Sequence, residues 1–399
     1  MAANTINKNW GTSAGELTWR RFLSSPLNAF CLAFLAFLVS LAVLAPFLAN
    51  DKPFVITIAG RLHFPLFRAL DPGDYSLCLA AIVGLSQVVL IRRNIIRFAP
   101  FIRGGVLSRQ LAVGCVIIIL GTILIYALLP FRLDTADYKT MVASGLAAGA
   151  IFPPVPYGYD RTDLKSRQQP PSRQHWFGTD DVGADVLARL IHATRVSFAV
   201  GLVAVGISTA IGIAVGAGLG YFAGKVDFLG MRLVEIVMAI PVFFLVIMVV
   251  AFFPKTLLNI MLIIGLTSWT GTARLVRSEF LKLRRRDFVQ AVILIGIPLR
   301  SILFRHILPN AIAPVLVNAT FGISAAIFTE AALSFLGFGL APPVPSWGQM
   351  LSQGVTTAGS FLWWLTLFPG LAIFLTVLTY NVIGEGLRDA FDPRWRNTA

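Results

Sequence analysis

Seven stretches of this sequence stay apolar long enough to cross about 30 Å of bilayer hydrocarbon as a helix. They are residues 28–48, 111–130, 196–223, 231–253, 257–276, 312–339 and 361–387. Composition agrees, because 56% of the 399 residues are hydrophobic and 13% are charged. The mean hydropathy of +0.77 is more than a soluble domain can hide in a core. The expected fold is an all-α integral membrane protein. The first run follows Arg20 and Arg21, as a signal sequence would, but no small-residue cleavage site follows it. It is therefore read as a retained span.

An eighth run, 76–91, has a length at which a re-entrant segment competes with a full crossing. Charge decides for the crossing. Arg92, Arg93, Arg97, Arg103 and Arg109 crowd the connection that follows, and such clusters stay cytoplasmic. About eight spans, including an extra N-terminal pair, then put both termini in the cytoplasm. The expected organisation is a cytoplasmic tail 1–27, an N-terminal transmembrane region 28–130 and a proline-rich external segment 131–195. A transmembrane core 196–388, with a cytoplasmic loop 284–309, and a tail 389–399 complete it. The net charge of +14 reflects this orientation rather than nucleic-acid binding. Cys31, Cys78 and Cys115 sit in apolar runs without metal-type spacing and read as packing or lipid-facing residues.

Along the run 196–223 and one residue past its end, Ala204, Ser208, Gly212, Gly216, Gly220 and Gly224 recur every fourth residue. That spacing lays a smooth stripe along a helix on which another backbone can pack closely. General glycine enrichment in membrane helices is the plainer alternative. Glu330 is an acid inside a span, and its cost there implies a pathway or a partner. Its place in Thr329-Glu330-Ala331, which resembles a motif of peptide permeases, favours a structural or gating role over direct substrate contact. Asn318, Thr320, Ser324 and Thr329 share its helix and are candidate path residues, although hydroxyls also bond back to their own helix. Glu235 is expected to pair with Arg232 near the interface, and Trp363 and Trp364 to anchor the outer interface.

Between two spans, the stretch Arg284 to Arg300, followed by Ser301 to Asn310, holds two short helical patterns that flank the break Gly296-Ile297-Pro298. Gly296 can take backbone angles closed to other residues, and Pro298 suits the first turn of a new helix, so a bent helix–turn–helix is expected. An amphipathic connection lying on anionic lipid would have the same composition.

The spacing of Gln290-Ala291-Val292, Gly296 and Ile307-Leu308-Pro309 resembles the EAA loop of ABC importer permeases, with Gln290 and Val292 where that family usually has Glu and Ala. The segments His175-Trp176-Phe177-Gly178-Thr179-Asp180 and Asp185-Val186-Leu187-Ala188-Arg189 are similar to signatures of dipeptide and oligopeptide permeases. So are Thr329 to Gly337, Pro345 to Leu351 and Gly384 to Pro393. Ala49-Asn50-Asp51-Lys52-Pro53 and Pro170-Pro171-Ser172-Arg173-Gln174 resemble the Yej-type branch associated with microcin C and oligopeptide uptake. Two extra apolar segments between 76 and 130 depart from the family, which usually carries a soluble external stretch there.

The resemblance implies a type I ABC importer permease in the bacterial inner membrane. It pairs with a second homologous permease chain, two ATPase subunits and an extracytoplasmic substrate-binding protein, and it passes peptides. It implies ATPase coupling by Asp287, Gln290, Ala291, Gly296, Arg305, His306, Ile307, Leu308 and Pro309. ATP and Mg belong to the partner subunits, and no cofactor is expected on this chain. Around Gly224-Lys225 the phosphate-cradling pattern is broken by Leu219 and Val226. His63, His175, His192 and His306 form no H-E-x-x-H pattern, so no catalytic or metal residue is expected. An ion-coupled secondary transporter is the alternative, although it would want inverted repeats and mid-membrane acids.

Overall fold

The computed structural model describes residues 14–97, 105–128, 134, 136–356 and 361–392. The chain divides into two compact units, residues 1–21 with 39–161, and 22–38 with 162–399. Arg103 and the side chains of Arg92, Arg93, Arg97 and Arg109 fall outside the described residues, as does the tail from Pro393. Helix α1 (Ala14–Ser24) and the apolar α2 (Pro26–Leu48) open the chain.

The first unit departs from the all-α expectation. Strands β1 (Val55–Ile58) and β2 (Arg61–His63) form an antiparallel hairpin, followed by the short α3 (Pro65–Ala69). After α4 (Pro72–Arg97), α5 (Gly105–Leu128) and α6 (Tyr138–Ala143), strand β3 (Ala147–Ile151) joins β1. The sheet order is β2-β1-β3. The polar flank of this unit is held by Lys52, whose Nζ donates to Asp134 O at 2.6 Å, and by Arg161 against Asp51 at 2.6 Å. Helix α4 exceeds the short run read from the sequence, with Pro72–Leu90 long and apolar enough for a full crossing. Its residues Gln87 and Leu79 pack where a Cβ on Gly114 or Gly121 of α5 would otherwise stand.

The second unit is built around α7 (Val186–Phe222), a helix of 37 residues. Asp185 starts it by accepting from the Ala188 N–H at 2.8 Å, which satisfies one donor of the first turn. The chain continues through α8 (Gly224–Ala239), α9 (Val242–Val250), α10 (Leu257–Thr267), α11 (Trp269–Arg284) and α12 (Asp287–Leu294). One turn, α13 (Leu299–Ser301), a π-helical stretch Ile302–Ile307 and α14 (Leu308–Phe335) then run on as a single helix. Helices α15 (Trp347–Thr356) and α16 (Trp363–Phe391) complete the unit.

Among the described residues five helices are long and apolar enough to span, or six if one bent pair counts as a crossing. That bent pair replaces the continuous helix expected over 231–253: α8 and α9 meet at 73° around Ile240-Pro241. Proline withholds an N–H and disfavours helical angles in the residue before it. Ile240 is accordingly extended. The run 257–276 is likewise divided at Ser268.

The small-residue stripe is real, but it ends at Gly220. Ala204 lies against Gly265 of α10, while Gly212, Gly216 and Gly220 lie directly on Thr272, Ala273, Val276, Arg277 and Phe280 of α11. Gly224 is no part of this face, because it follows the end of α7 at Phe222 and meets nothing. Cys31 is buried with Phe22, Ile383 and Ala390, and Cys115 is exposed.

Candidate functional site

The segment after α11 forms a folded knob. Arg286 takes an extended conformation that ends the run of helical residues after α11, and Asp287 opens α12 where a negative charge suits the helix dipole. The Gln290 Nε2 donates to Arg284 O at 2.8 Å, closing the end of α11 onto α12. A glutamate here has no hydrogen to give that carbonyl, so the departure at Gln290 has a local structural use.

Helix α12 stops at Gly296, which has φ +77°. The Gly296 N–H donates to Ile293 O at 3.0 Å and the Ile297 N–H to Val292 O at 3.3 Å, the paired bonds of a Schellman cap. Val289, Val292, Ile302 and Ile307 turn inward onto Val276, Phe280, Ala311 and Val315. Leu294 and Ile295 are left at the tip, 87% and 77% exposed.

Asp287, Gln290, Ala291, Arg305 and Pro309 are exposed, His306 and Leu308 are half-buried, and Ile307 is core. Ile307-Leu308-Pro309 lies within the long helix that follows the bend, as the helical pattern there suggests. Pro309 withholds the N–H that an α-helix would aim at Arg305 O, and the π-helical turns fall just before it.

A cavity of about 510 Å³ lies among α7, α9, α10, α11 and α14. Ser208, Thr209, Thr272, Asn318 and Thr329 give it polar patches, Val242 and Phe243 of α9 form an apolar wall, and no charged side chain lines it. The Asn318 Nδ2 donates to Thr272 Oγ1 at 3.0 Å.

Asn318 and Thr329 thus face this space, whereas three other candidates from the same helix do not. Thr320 bonds back to Val317 O at 2.7 Å, and Ser324 donates to Phe321 O and to Asn381 Oδ1 on α16. Glu330 is 1% exposed and accepts from Ser334 Oγ at 2.6 Å. Thr209 and Thr272 escaped the sequence reading, although hydroxyls interrupting apolar runs were a visible signal.

The segment before α7 is locked by buried polar contacts. His175 Nδ1 lies 2.8 Å from Asp185 Oδ2, and Asp180 pairs with Arg189, which also reaches Gln353 Oε1 on α15 at 3.1 Å. Burial pushes the Asp180 carboxyl up from its ordinary value, opposed by Arg189 and by the N–H groups of Ala184 and Val182. The Trp364 Nε1 donates to Thr179 O at 3.0 Å. Trp364 is therefore a buried clasp and not the interface anchor expected of it, while Trp363 is exposed. Glu235 does pair with Arg232, at 2.7 Å.

Arg189→Ala would leave Asp180 buried without its partner. The expected cost is about 3–5 kcal/mol, read as a lower melting temperature in detergent. A loss under about 1 kcal/mol would show that the pair does not hold this segment.

Two family models match the chain. One describes the inner membrane component of binding-protein-dependent transport systems, over residues 210–397, and the other the N-terminal TM domain of oligopeptide transport permease C, over residues 13–63. The oligopeptide transport system permease protein OppC of Bacillus subtilis (strain 168) is 39% identical over 249 residues, 62% of this chain and 81% of that protein. The dipeptide transport system permease protein DppC of Alkalihalophilus pseudofirmus is 41% identical, covering 62% of this chain and 82% of the relative. OppC of Haemophilus influenzae is 40% identical, over 60% and 78%. With these similarities extending over the helices that bear the knob and the cavity, the chain belongs to the oligopeptide and dipeptide ABC-transport permeases of binding-protein-dependent systems.

Proposed function

We propose that this permease forms half of a peptide translocation path, and that residues 284–309 are the cytoplasmic segment that takes up motion from separate ATPase subunits. The observation that carries the reading is the knob: a short helix pinned at both ends, with Leu294 and Ile295 exposed at its tip. Apolar side chains this exposed on a rigid bend suit a protein groove. Asp287, Gln290, Ala291 and Gly296 sit on or beside that surface. Arg305, His306, Ile307, Leu308 and Pro309 join it to the span α14.

The partners are a second homologous permease, two ATPases holding ATP and Mg, and an extracytoplasmic binding protein. Both termini lie in the cytoplasm. The 49–53 and 170–174 segments favour the Yej-type branch, with oligopeptides and microcin C-like compounds as substrates. The ion-coupled alternative is set aside, because the relatives are permeases of binding-protein-dependent systems.

Co-expression with neighbouring genes, followed by purification through this chain, tests the proposal. Two ATPases and a second permease are expected to copurify, with vanadate-sensitive uptake once the complex is reconstituted. A solitary chain that transports peptide without ATP would overturn it.

A further inference from the structure

We infer that the Asp227–Arg277 ion pair is a lever that ties the broken span α8–α9 to the knob-bearing helix α11, so that the wall of the cavity moves with the knob. The inference rests on the reading of the knob as the receiver of ATPase motion.

Helix α11 and the knob form one mechanical body. Val276 and Phe280 are fully buried against Val289 of α12 and against Ile302 and Ile307. The glycine stripe of α7 packs on the same Val276 and Phe280, and on Thr272, Ala273 and Arg277 beside them.

Helix α8 is different. It is separated from α7 by Ala223, which like its own first residue Gly224 has a positive φ, and Val234 is its one buried residue among those described. Phe228, Leu229, Leu233 and Ile236 are all exposed. Against this loose packing, Asp227 in the first turn of α8 receives a two-pronged contact from Arg277, with Nη2 to Oδ2 at 2.6 Å and Nε on the other oxygen. A guanidinium–carboxylate fork fixes orientation as well as distance.

The far end of α8 is the 73° bend, and Val242 and Phe243 immediately beyond it line the cavity. A helix of 16 residues is a stiff rod about 24 Å long. Displacement of Arg277 at one end is thereby delivered to Phe243 at the other. Asp227 and Arg277 are positioning residues in this scheme and touch no substrate.

The test uses the complex with its ATPases, in proteoliposomes, with Cys31, Cys78 and Cys115 replaced by alanine and Phe243→Cys as reporter. Maleimide labelling of the reporter is compared without nucleotide and with ATP and vanadate. Labelling is expected to depend on nucleotide when the ion pair is intact. Asp227→Asn is expected to keep assembly and ATP hydrolysis, lose the nucleotide dependence, and lower uptake about 5- to 100-fold, the span of ordinary coupling energies. Asp227→Arg combined with Arg277→Asp is expected to restore both, which a merely structural loss would not predict for labelling.

Full uptake and nucleotide-dependent labelling in Asp227→Asn would overturn the lever. Should that variant fail to assemble, the swapped pair decides, and an assembled swapped complex whose labelling ignores nucleotide overturns it too. If the intact pair itself shows no nucleotide-dependent uptake, the coupling function of the knob fails before the lever is reached.

Discussion

Gly296→Pro is expected to abolish uptake while leaving the chain inserted in the membrane. The native φ of +77° lies in the left-handed region, whereas a proline ring holds φ near −65°. The substitution also removes the N–H that donates to Ile293 O and disfavours the helical conformation of Ile295, the residue before it. The turn between α12 and α13 must then be rebuilt, which redirects the exposed tip formed by Leu294 and Ile295. Gly296→Ala separates backbone strain from crowding, because a Cβ at this position meets nothing within 4 Å. It should cost only about 1–2 kcal/mol of left-handed strain and keep most of the uptake. The measurement is peptide uptake beside ATP hydrolysis in the reconstituted complex, with membrane insertion checked by extraction. Uptake at the normal rate in Gly296→Pro would show that the bend transmits nothing.

What could be read beforehand follows from which physical signals are local. The bend at Gly296 was legible because glycine admits the left-handed angle of a helix stop and Pro298 suits the first turn of the next helix, both local preferences. The stripe on α7 was legible because a period of four residues is helix geometry, but its end was not. Gly224 keeps the period, and only the break after Phe222 removes it from the face. The 73° bend was missed because residues 231–253 are apolar nearly throughout, so periodicity carried no information there. Pro241 was the available signal and was read through.

The sheet was missed for another reason. Val55–Ile58 is β-branched and short, and its partner Ala147–Ile151 lies about ninety residues away in a stretch rich in alanine and glycine, so the pairing is non-local. Trp364 was assigned by the statistics of aromatic belts, which cannot foresee that its indole N–H finds Thr179 O. The candidate path residues on α14 stood out as polar positions in an apolar run, and only packing decides which of them face the cavity. Asn318 and Thr329 do, while Ser324 turns to Asn381. The roll from one face to the next is set by α16, which no feature of α14 announces.

Gly216→Leu is expected to prevent the permease core from forming at all. A Cβ built on Gly216 falls on the carbonyl oxygen of Ala273, 2.8 Å from Val276 Cβ and 3.0 Å from Arg277 N. These are atoms of a neighbouring helix, mostly backbone, and no rotamer change removes them. The only relief is for α7 and α11 to separate along their length. Separation would open the contacts at Gly212 and Gly220 and unseat Phe280 from the base of the knob.

Overpacking in a side-chain core costs about 1–3 kcal/mol, and a backbone collision of this kind should stand at the top of that range or above it. Gly218 supplies the control, since it lies on the same helix two residues on and a Cβ there meets nothing within 4 Å. Gly218→Leu should therefore yield protein that extracts as a single monodisperse species, whereas Gly216→Leu should aggregate or be degraded. Equal yields of folded protein from the two variants would mean that α7 and α11 are not packed backbone to backbone. The knob would then lack the rigid footing that the proposed transmission of force requires.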